Sequence, residues 1–418
     1  MRYVLITASL LLSLWLSACS SMSGNTVPAP GLRSAWIPGN DVKLLFDGPQ
    51  TMAAMEAAIR SAQHSIHLET YIFDQDPVGL HFAELLMASQ RSGVKVRIIY
   101  DSVGTLGTPD TFFNTLKDAG IELLAFNPVN PFKLRGPWQP NSRDHRKLLV
   151  VDDRIAFTGG VNISQSYAMS SLFRSKAAKG NALGWRDTHL QVQGPAVAVL
   201  QTVFLRTWNA QFVTPDQSPS VTITANNTAS RLGPAVGQQT VQVVASEPGG
   251  LQEVYAVYIE AIRAARHRIY LTCAYLVPDD DMLQALLDAA QRGVDVQLVL
   301  PGVKEGGMVF YAGQSFFEDM LKGGMRIFLM REAVLHAKTA VIDGRWSTVG
   351  TANMDTRSFF HNSEINVIVI DEAFGSAMEA AFSEDRQDSD ELLLAQWRQR
   401  PLIDRIKEWT YRQFAYWL

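Results

Sequence analysis

The chain contains the same unit twice, and that repetition limits its folds more than any other feature. The stretch from His64 to Tyr71 reads His-Ser-Ile-His-Leu-Glu-Thr-Tyr. It returns from His267 to Ala274 as His-Arg-Ile-Tyr-Leu-Thr-Cys-Ala, 203 residues later. Gly93-Val-Lys-Val-Arg-Ile-Ile has its counterpart at Gly293 after 200 residues, and Gly120-Ile-Glu-Leu at Gly324 after 204. Similar offsets over so long a span mark a duplication. In each copy an apolar strand (65–73; 268–277) precedes a segment with helical apolar spacing. That spacing is carried by Phe82, Leu85 and Leu86 in one copy and by Leu283, Leu286 and Leu287 in the other. A Gly-Val turn then opens a second strand (94–100; 294–300). Strands alternating with helices predict an α/β layer. Short, near-continuous apolar runs such as Ile365–Ile370 predict strands covered on both faces.

The boundaries follow from composition along the chain. Residues 1–18 read as an export leader: Arg2, then the apolar run from Tyr3 to Leu16, then small residues up to Cys19. Leu16-Ser17-Ala18-Cys19 resembles a bacterial lipoprotein processing site, which implies lipidation at Cys19. With Ser20 next, that resemblance points to the outer membrane and a periplasm-facing body. Residues 19–36 read as a tether, 37–216 as a first lobe, 217–241 as a linker rich in Ser, Thr, Asn, Pro and Gly, and 242–418 as a second lobe. Cys273 is the one cysteine of the exported body, so neither an internal disulfide nor a cysteine metal cluster is expected there. Its apolar run marks it as a small buried hydrophobe.

The two copies converge on one motif. The first reads His145-Arg-Lys147, four residues, Asp152, six residues, Gly159-Gly160-Val-Asn162. The second reads His336-Ala-Lys338, four residues, Asp343, six residues, Gly350-Thr351-Ala-Asn353. His and Lys two apart on an extended segment share a face. Two such sets meeting across a pseudo-twofold interface would ring one tetrahedral oxyanion with two imidazoles, two ammoniums and two amides. That arrangement suits a phosphodiester. Asn162, Asn353 and Thr351 are the candidate phosphate donors, and the glycines would let backbone approach an anion. Asp152 and Asp343 are kept as candidate catalytic residues, although a strand end suits a structural role better. Asp187 lies 42 residues past His145, and Glu364 lies 28 past His336, each starting an alternating strand. These carboxylates are the expected partners that orient the imidazoles within each half. The 14 extra residues of the first half fit an insertion around 167–183. His189 reads as a satisfied polar residue.

This double signature resembles the phospholipase D superfamily over nearly the whole exported chain. The resemblance implies an α/β fold of two duplicated lobes, each a mostly buried sheet flanked by helices, with the active site at the lobe interface. It implies phosphoryl transfer through a phosphohistidine, with His145 as nucleophile and His336 as acid and base. It implies no cofactor, and the sequence offers no helical His-x-x-x-His or carboxylate cluster with metal spacing. Several segments are similar to bacterial cardiolipin synthases. These are Asn127 to Trp138 leading into Asn141-Ser-Arg-Asp144, Glu69-Thr-Tyr71, Tyr275-Leu-Val-Pro278-Asp279, and Asn353-Met-Asp355-Thr-Arg357-Ser358. The implied substrates are phosphatidylglycerol and, as a second candidate, phosphatidylethanolamine, met at a membrane surface. Phospholipase D hydrolysis to phosphatidic acid is the rival reading. An exported nuclease and a non-catalytic binder of membrane anions stand further off. With 37 Lys and Arg against 41 Asp and Glu, the chain lacks the basic excess that a nucleic-acid partner calls for. Two departures stand out. Cardiolipin synthases of one familiar type begin with two transmembrane helices, where this chain has its leader. The usual Gly-Ser is Gly159-Gly160 in one copy and Gly350-Thr351 in the other. Gly160 thus lacks a hydroxyl that would contact phosphate. The aromatic C-terminus (Trp409, Tyr411, Phe414, Tyr416) and Phe310, Tyr311, Phe316 and Phe317 have two readings each, lipid contact or core packing, with core packing preferred for the C-terminus.

Overall fold

The computed structural model describes residues 31–129, 141–168, 184–210, 233–303, 307–331 and 333–417. The leader, Cys19, the linker from 217 to 232, residues 169–183 of the insertion and residues 130–140 lie outside the described residues.

The first half folds into strands β1 (Ile37–Phe46), β2 (Ser65–Thr70), β3 (Lys95–Asp101), β4 (Glu122–Phe126), β5 (Leu148–Val151), β6 (Ile155–Gly159) and β7 (Thr188–Gln193). The second half gives β8 (Gln239–Ser246), β9 (Arg268–Cys273), β10 (Asp295–Pro301), β11 (Arg326–Met330), β12 (Lys338–Ile342), β13 (Trp346–Gly350) and β14 (Asn362–Ile370). The two sheets share one plan. In the first the order is β4-β3-β2-β5-β6-β7-β1, parallel among β2, β3 and β4 and antiparallel thereafter. In the second it is β11-β10-β9-β12-β13-β14-β8 with the same change of direction. Helices Pro77–Arg91 and Asp280–Gln291 make the matching parallel crossovers, each started by an aspartate, Asp76 or Asp279, whose carboxylate caps the first turn.

The sheets are joined. β8 pairs with β1 through Gln239↔Asn40 and Val241↔Ile37, around a bulge. The expected linker therefore ends as strand from Gln239 onward. The expected tether also ends as strand: Leu32 is buried, and Leu32–Arg33 pairs with Ala245 and Val244. Each half has its own core, around Ile66, Leu86 and Val96 or around Ile269, Leu286 and Val296. A third core lies between the sheets, where Leu148, Leu190 and Val192 meet Val341, Val349, Ile365 and Val367. At roughly 1.5–3 kcal/mol for each fully buried aliphatic side chain, that shared core holds the halves in fixed register. Cys273 is buried in the second core, and burial pushes its thiol up to about 12. Phe316 and Phe317 are core residues as well.

A candidate active site built from crossed halves

The motif segments exchange partners across the interface. Just before His145, Arg143–Asp144 runs parallel to Asn362–Ser363 of β14, and the His145 N–H donates to the Ser363 carbonyl at 3.0 Å. Just before His336, Val334–Leu335 runs parallel to Trp185–Arg186, and the His336 N–H donates to the Arg186 carbonyl at 2.8 Å. Each imidazole thereby meets the carboxylate of the opposite half. His145 Nδ1 lies 3.0 Å from Glu364 Oε1, and His336 Nδ1 lies 2.8 Å from Asp187 Oδ2. Glu364 and Asp187, each expected beside the histidine of its own half, thus stand behind the histidine of the other. With Nδ1 engaged, Nε2 is the ring atom left for a substrate.

Lys147 and Lys338 are buried beside the imidazoles. Lys147 Nζ donates to the His145 carbonyl at 2.6 Å, and Lys338 Nζ to the His336 carbonyl. Burial pulls Lys147 down to about 7 and Lys338 down to about 8, and Lys338 depresses Lys147 further by charge repulsion. Burial also lowers both imidazoles, and His336 falls furthest because Lys338, Lys147 and His145 all repel its proton. Glu364 and Asp187 favour the charge on both amines, and burial outweighs them.

The smaller candidates divide. The Thr351 hydroxyl donates to the Glu364 carboxylate and accepts from Ile365 N–H at 3.0 Å, so it steadies the acid and does not reach for phosphate. Its counterpart Gly160 has no space for a hydroxyl: a Cβ there would lie 1.9 Å from Asp187 Oδ1. The Asp187 carboxylate fills the room freed by that glycine. Asn162 is tied up, its oxygen accepting from Ile72 N–H at 3.1 Å and its amide donating to the Tyr167 hydroxyl at 2.8 Å. Asn353 keeps a buried side-chain oxygen with no hydrogen-bond partner, an acceptor that a hydroxyl and not a phosphate oxygen would satisfy.

Asp152 and Asp343 do not reach the site. Each sits five residues beyond its lysine, roughly 16 Å along an extended strand. Each takes three backbone N–H bonds, from Gln63, His64 and Ser65 or from Arg266, His267 and Arg268. Those donors outweigh partial burial and lower both carboxyls. Both residues adopt left-handed backbone, φ 53°, which aspartate tolerates in a turn. They anchor the starts of β2 and β9. His189 also departs from expectation: it is buried, pulled down to about 3 by burial, and its Nδ1 has no hydrogen-bond partner.

Other residues join the site. Tyr71 packs its ring edge-on to His145 at 5.0 Å and lies 5.3 Å from Lys147 Nζ. Tyr167 and Trp185 wall His336 at 5.4 and 5.2 Å. Arg146, the variable residue of the first motif, is fully buried. It binds Thr207 at 2.8 Å, the Ser246 carbonyl at 2.9 Å and the Glu364 carbonyl at 3.3 Å, close to Glu69 and Glu247. Its counterpart is Ala337, so symmetry gave no signal for it. Among the described residues no group of three His, Cys, Asp or Glu side chains is placed to hold a metal, and no helix is long and apolar enough to cross a membrane.

The family described as "Cardiolipin synthase, PLD-like domain" matches residues 55–172 and 258–386, one segment per half. A cardiolipin synthase of Geobacillus kaustophilus is 36% identical over 373 residues, covering 87% of this chain and 70% of that protein. A probable cardiolipin synthase of Bacillus subtilis is 31% identical over 377 residues, covering 90% and 72%. In fold the chain is similar to a phosphatidylserine synthase from Haemophilus influenzae. The TM-score is 0.65 at 13% identity, over 90% of this chain and 95% of that one.

Proposed function

We propose a mechanism and a setting for this chain from one premise: it belongs to the cardiolipin synthase family of phospholipase D-like proteins and is a phosphatidyltransferase of that type. The mechanism rests on the crossed imidazole–carboxylate pairs, which bring two histidines backed by acids to one cation-rich interface. A phosphatidylglycerol phosphate enters between Lys147 and Lys338, where its negative charge favours the charged form of both buried amines. His145 Nε2 attacks phosphorus. The P–O bond to glycerol breaks, and His336 gives its proton to the departing oxygen. His336 regains a proton from the hydroxyl of a second phosphatidylglycerol, whose oxygen displaces His145 from phosphorus and leaves cardiolipin.

His145 takes the nucleophile's part because Glu364 behind it is the more firmly ionised acid. Burial alone would raise Glu364, yet His145, Lys147 and Thr351 bring it down to about 2. A fixed anion behind an imidazole stabilises the positive charge that forms on attack. Burial and the neighbouring Lys338, Lys147 and His145 disfavour a proton on His336, and a phosphate between the lysines favours it, which suits the acid's part.

The setting is read from the chain's start. The leader, Cys19 and Ser20 support a lipidated, periplasm-facing protein of the outer membrane. Phosphatidylethanolamine is a second candidate lipid. Hydrolysis to phosphatidic acid is the outcome if water reaches the phosphohistidine. The test is incubation of detergent-solubilised protein with phosphatidylglycerol, with and without phosphatidylethanolamine, in chelator, beside His145→Ala and His336→Ala. Cardiolipin with free glycerol should form, and either substitution should remove at least about 10³-fold of the rate. Phosphatidic acid as the only product would move the assignment to hydrolysis.

A further inference from the structure

The helix Leu402–Arg412 is turned inside out. Its charged side faces the protein: Glu408, 3% exposed, binds Arg400 at 2.7 Å. Lys407 lies 5.1 Å above the ring of Tyr311, and Arg412 lies 4.4 Å above that of Phe316. Its apolar side faces outward. Leu402 is 68% exposed, Ile403 57%, Ile406 50% and Trp409 67%, and Phe414 beyond the helix end is 51% exposed. Leu402, Ile406 and Trp409 follow the spacing of one helical stripe. Soluble surfaces rarely align large apolar side chains this way. Core packing, preferred for this C-terminus, describes Tyr411, which packs on the second core, but not Trp409 and Phe414, which are exposed.

We infer that this helix is a docking face for the surface of an anionic phospholipid bilayer, lying in the interface with Trp409 among the headgroups and upper acyl chains. Charge favours that occupant. The exposed charged side chain of the helix is Arg405, whereas Asp404 is half-buried and Glu408 buried, so the outward face carries positive charge in a chain whose net charge is −4. A basic residue beside an apolar stripe with an interfacial tryptophan fits such a surface. Position favours it too. Beyond the helix, the Tyr416 ring packs 5.5 Å from that of His361, which immediately precedes β14 and its Glu364. An apolar crevice lined by Leu276, Val309 and Phe310 adjoins the same helix. One wall of that crevice is Ala274, whose N–H donates to the Ala337 carbonyl between His336 and Lys338. The inference rests on the phospholipid-substrate reading for the choice of surface, and its test does not require turnover.

The full-length protein would be reconstituted on phosphatidylglycerol vesicles with bromine on the acyl chains, beside Trp409→Phe. The wild type should lose more tryptophan fluorescence to the brominated lipid than the variant does, and both should respond alike to aqueous iodide. Whatever holds the N-terminus is common to both proteins. Iodide quenching of the Trp409 contribution with no response to bromine would overturn the proposal, as would a dimer in sedimentation that hides Trp409 from both. In a second measurement, Ile406→Asp with Trp409→Asp should slow turnover of vesicular phosphatidylglycerol at least about tenfold. Turnover of monomeric dihexanoyl-phosphatidylglycerol should be unchanged. Undiminished turnover on vesicles would overturn the docking role. If both substrates suffer, the bromine reading on Trp409→Phe decides. Inactivity of the wild type on both lipids with intact bromine quenching would sink the catalytic reading and leave this one standing.

Discussion

His145 and His336 are held by the same backbone device, yet the acids behind them differ. Glu364 collects His145, Asn362 at 3.3 Å and the Thr351 hydroxyl, and the sum overcomes burial to hold it near 2. Asp187 has His336 and the Thr188 N–H at 2.8 Å, and burial dominates, pushing it up to about 6 against the pull of Lys338. The first motif also carries buried Arg146 where the second has Ala337. Duplication thus preserved geometry while the charges diverged. A site of two similar histidines can assign them different work by changing only what stands behind them.

The comparison can be broken first at Arg146. Arg146→Ala leaves Glu69 and Asp144 buried without their cation and should cost about 3–5 kcal/mol, read as a lower urea midpoint. Ala337→Gly, at the matching place, should cost no more than about 1 kcal/mol. Similar losses would mean that Arg146 does not clamp the halves. The acids sharpen the comparison next. Glu364→Gln should lower kcat by roughly 10²-fold and Asp187→Asn by roughly tenfold, with little change in KM. The reverse order would exchange the roles of the histidines.

Where the halves are alike, they should respond alike. Asp152→Ala and Asp343→Ala should each cost about 1–2 kcal/mol in thermal unfolding by freeing three backbone donors, and leave kcat within about twofold. The smallest effect is in pH. Lys147 and Lys338 have amines lowered to about 7 and about 8, so the empty site loses positive charge as pH rises through that window. Phosphate stabilises the charged form, so binding takes up protons, and KM should rise roughly three- to tenfold from pH 7 to 9. Lys338→Met removes the repulsion on Lys147 and should move that rise to higher pH.

Much of this was legible in the sequence. The repeat offsets announced the paired sheets, and the His-x-Lys spacing placed both side chains on one face. The acids at Asp187 and Glu364 were visible as carboxylates starting alternating strands. Their crossing was not, because the contacts span 149 and 219 residues and depend on how the sheets face each other. Arg146 was hidden for a related reason: nothing local distinguishes a buried arginine from a solvated one. Asp152 and Asp343 belonged to the motif yet serve its far end, since a fixed spacing records folding needs as readily as chemistry. The aromatic residues of the C-terminus were visible as a cluster, but not which of them point outward.

The most direct test is to trap the covalent intermediate. Wild type and both histidine variants would be mixed with a phosphatidyl ester of p-nitrophenol, a leaving group that needs no acid. They would then be quenched in alkali and mapped by peptide mass spectrometry. His336→Ala should release one equivalent of p-nitrophenol in a burst and carry a phosphatidyl group on His145, while His145→Ala should show neither. An adduct on His336, or a burst from His145→Ala, would contradict the division of labour proposed between the halves.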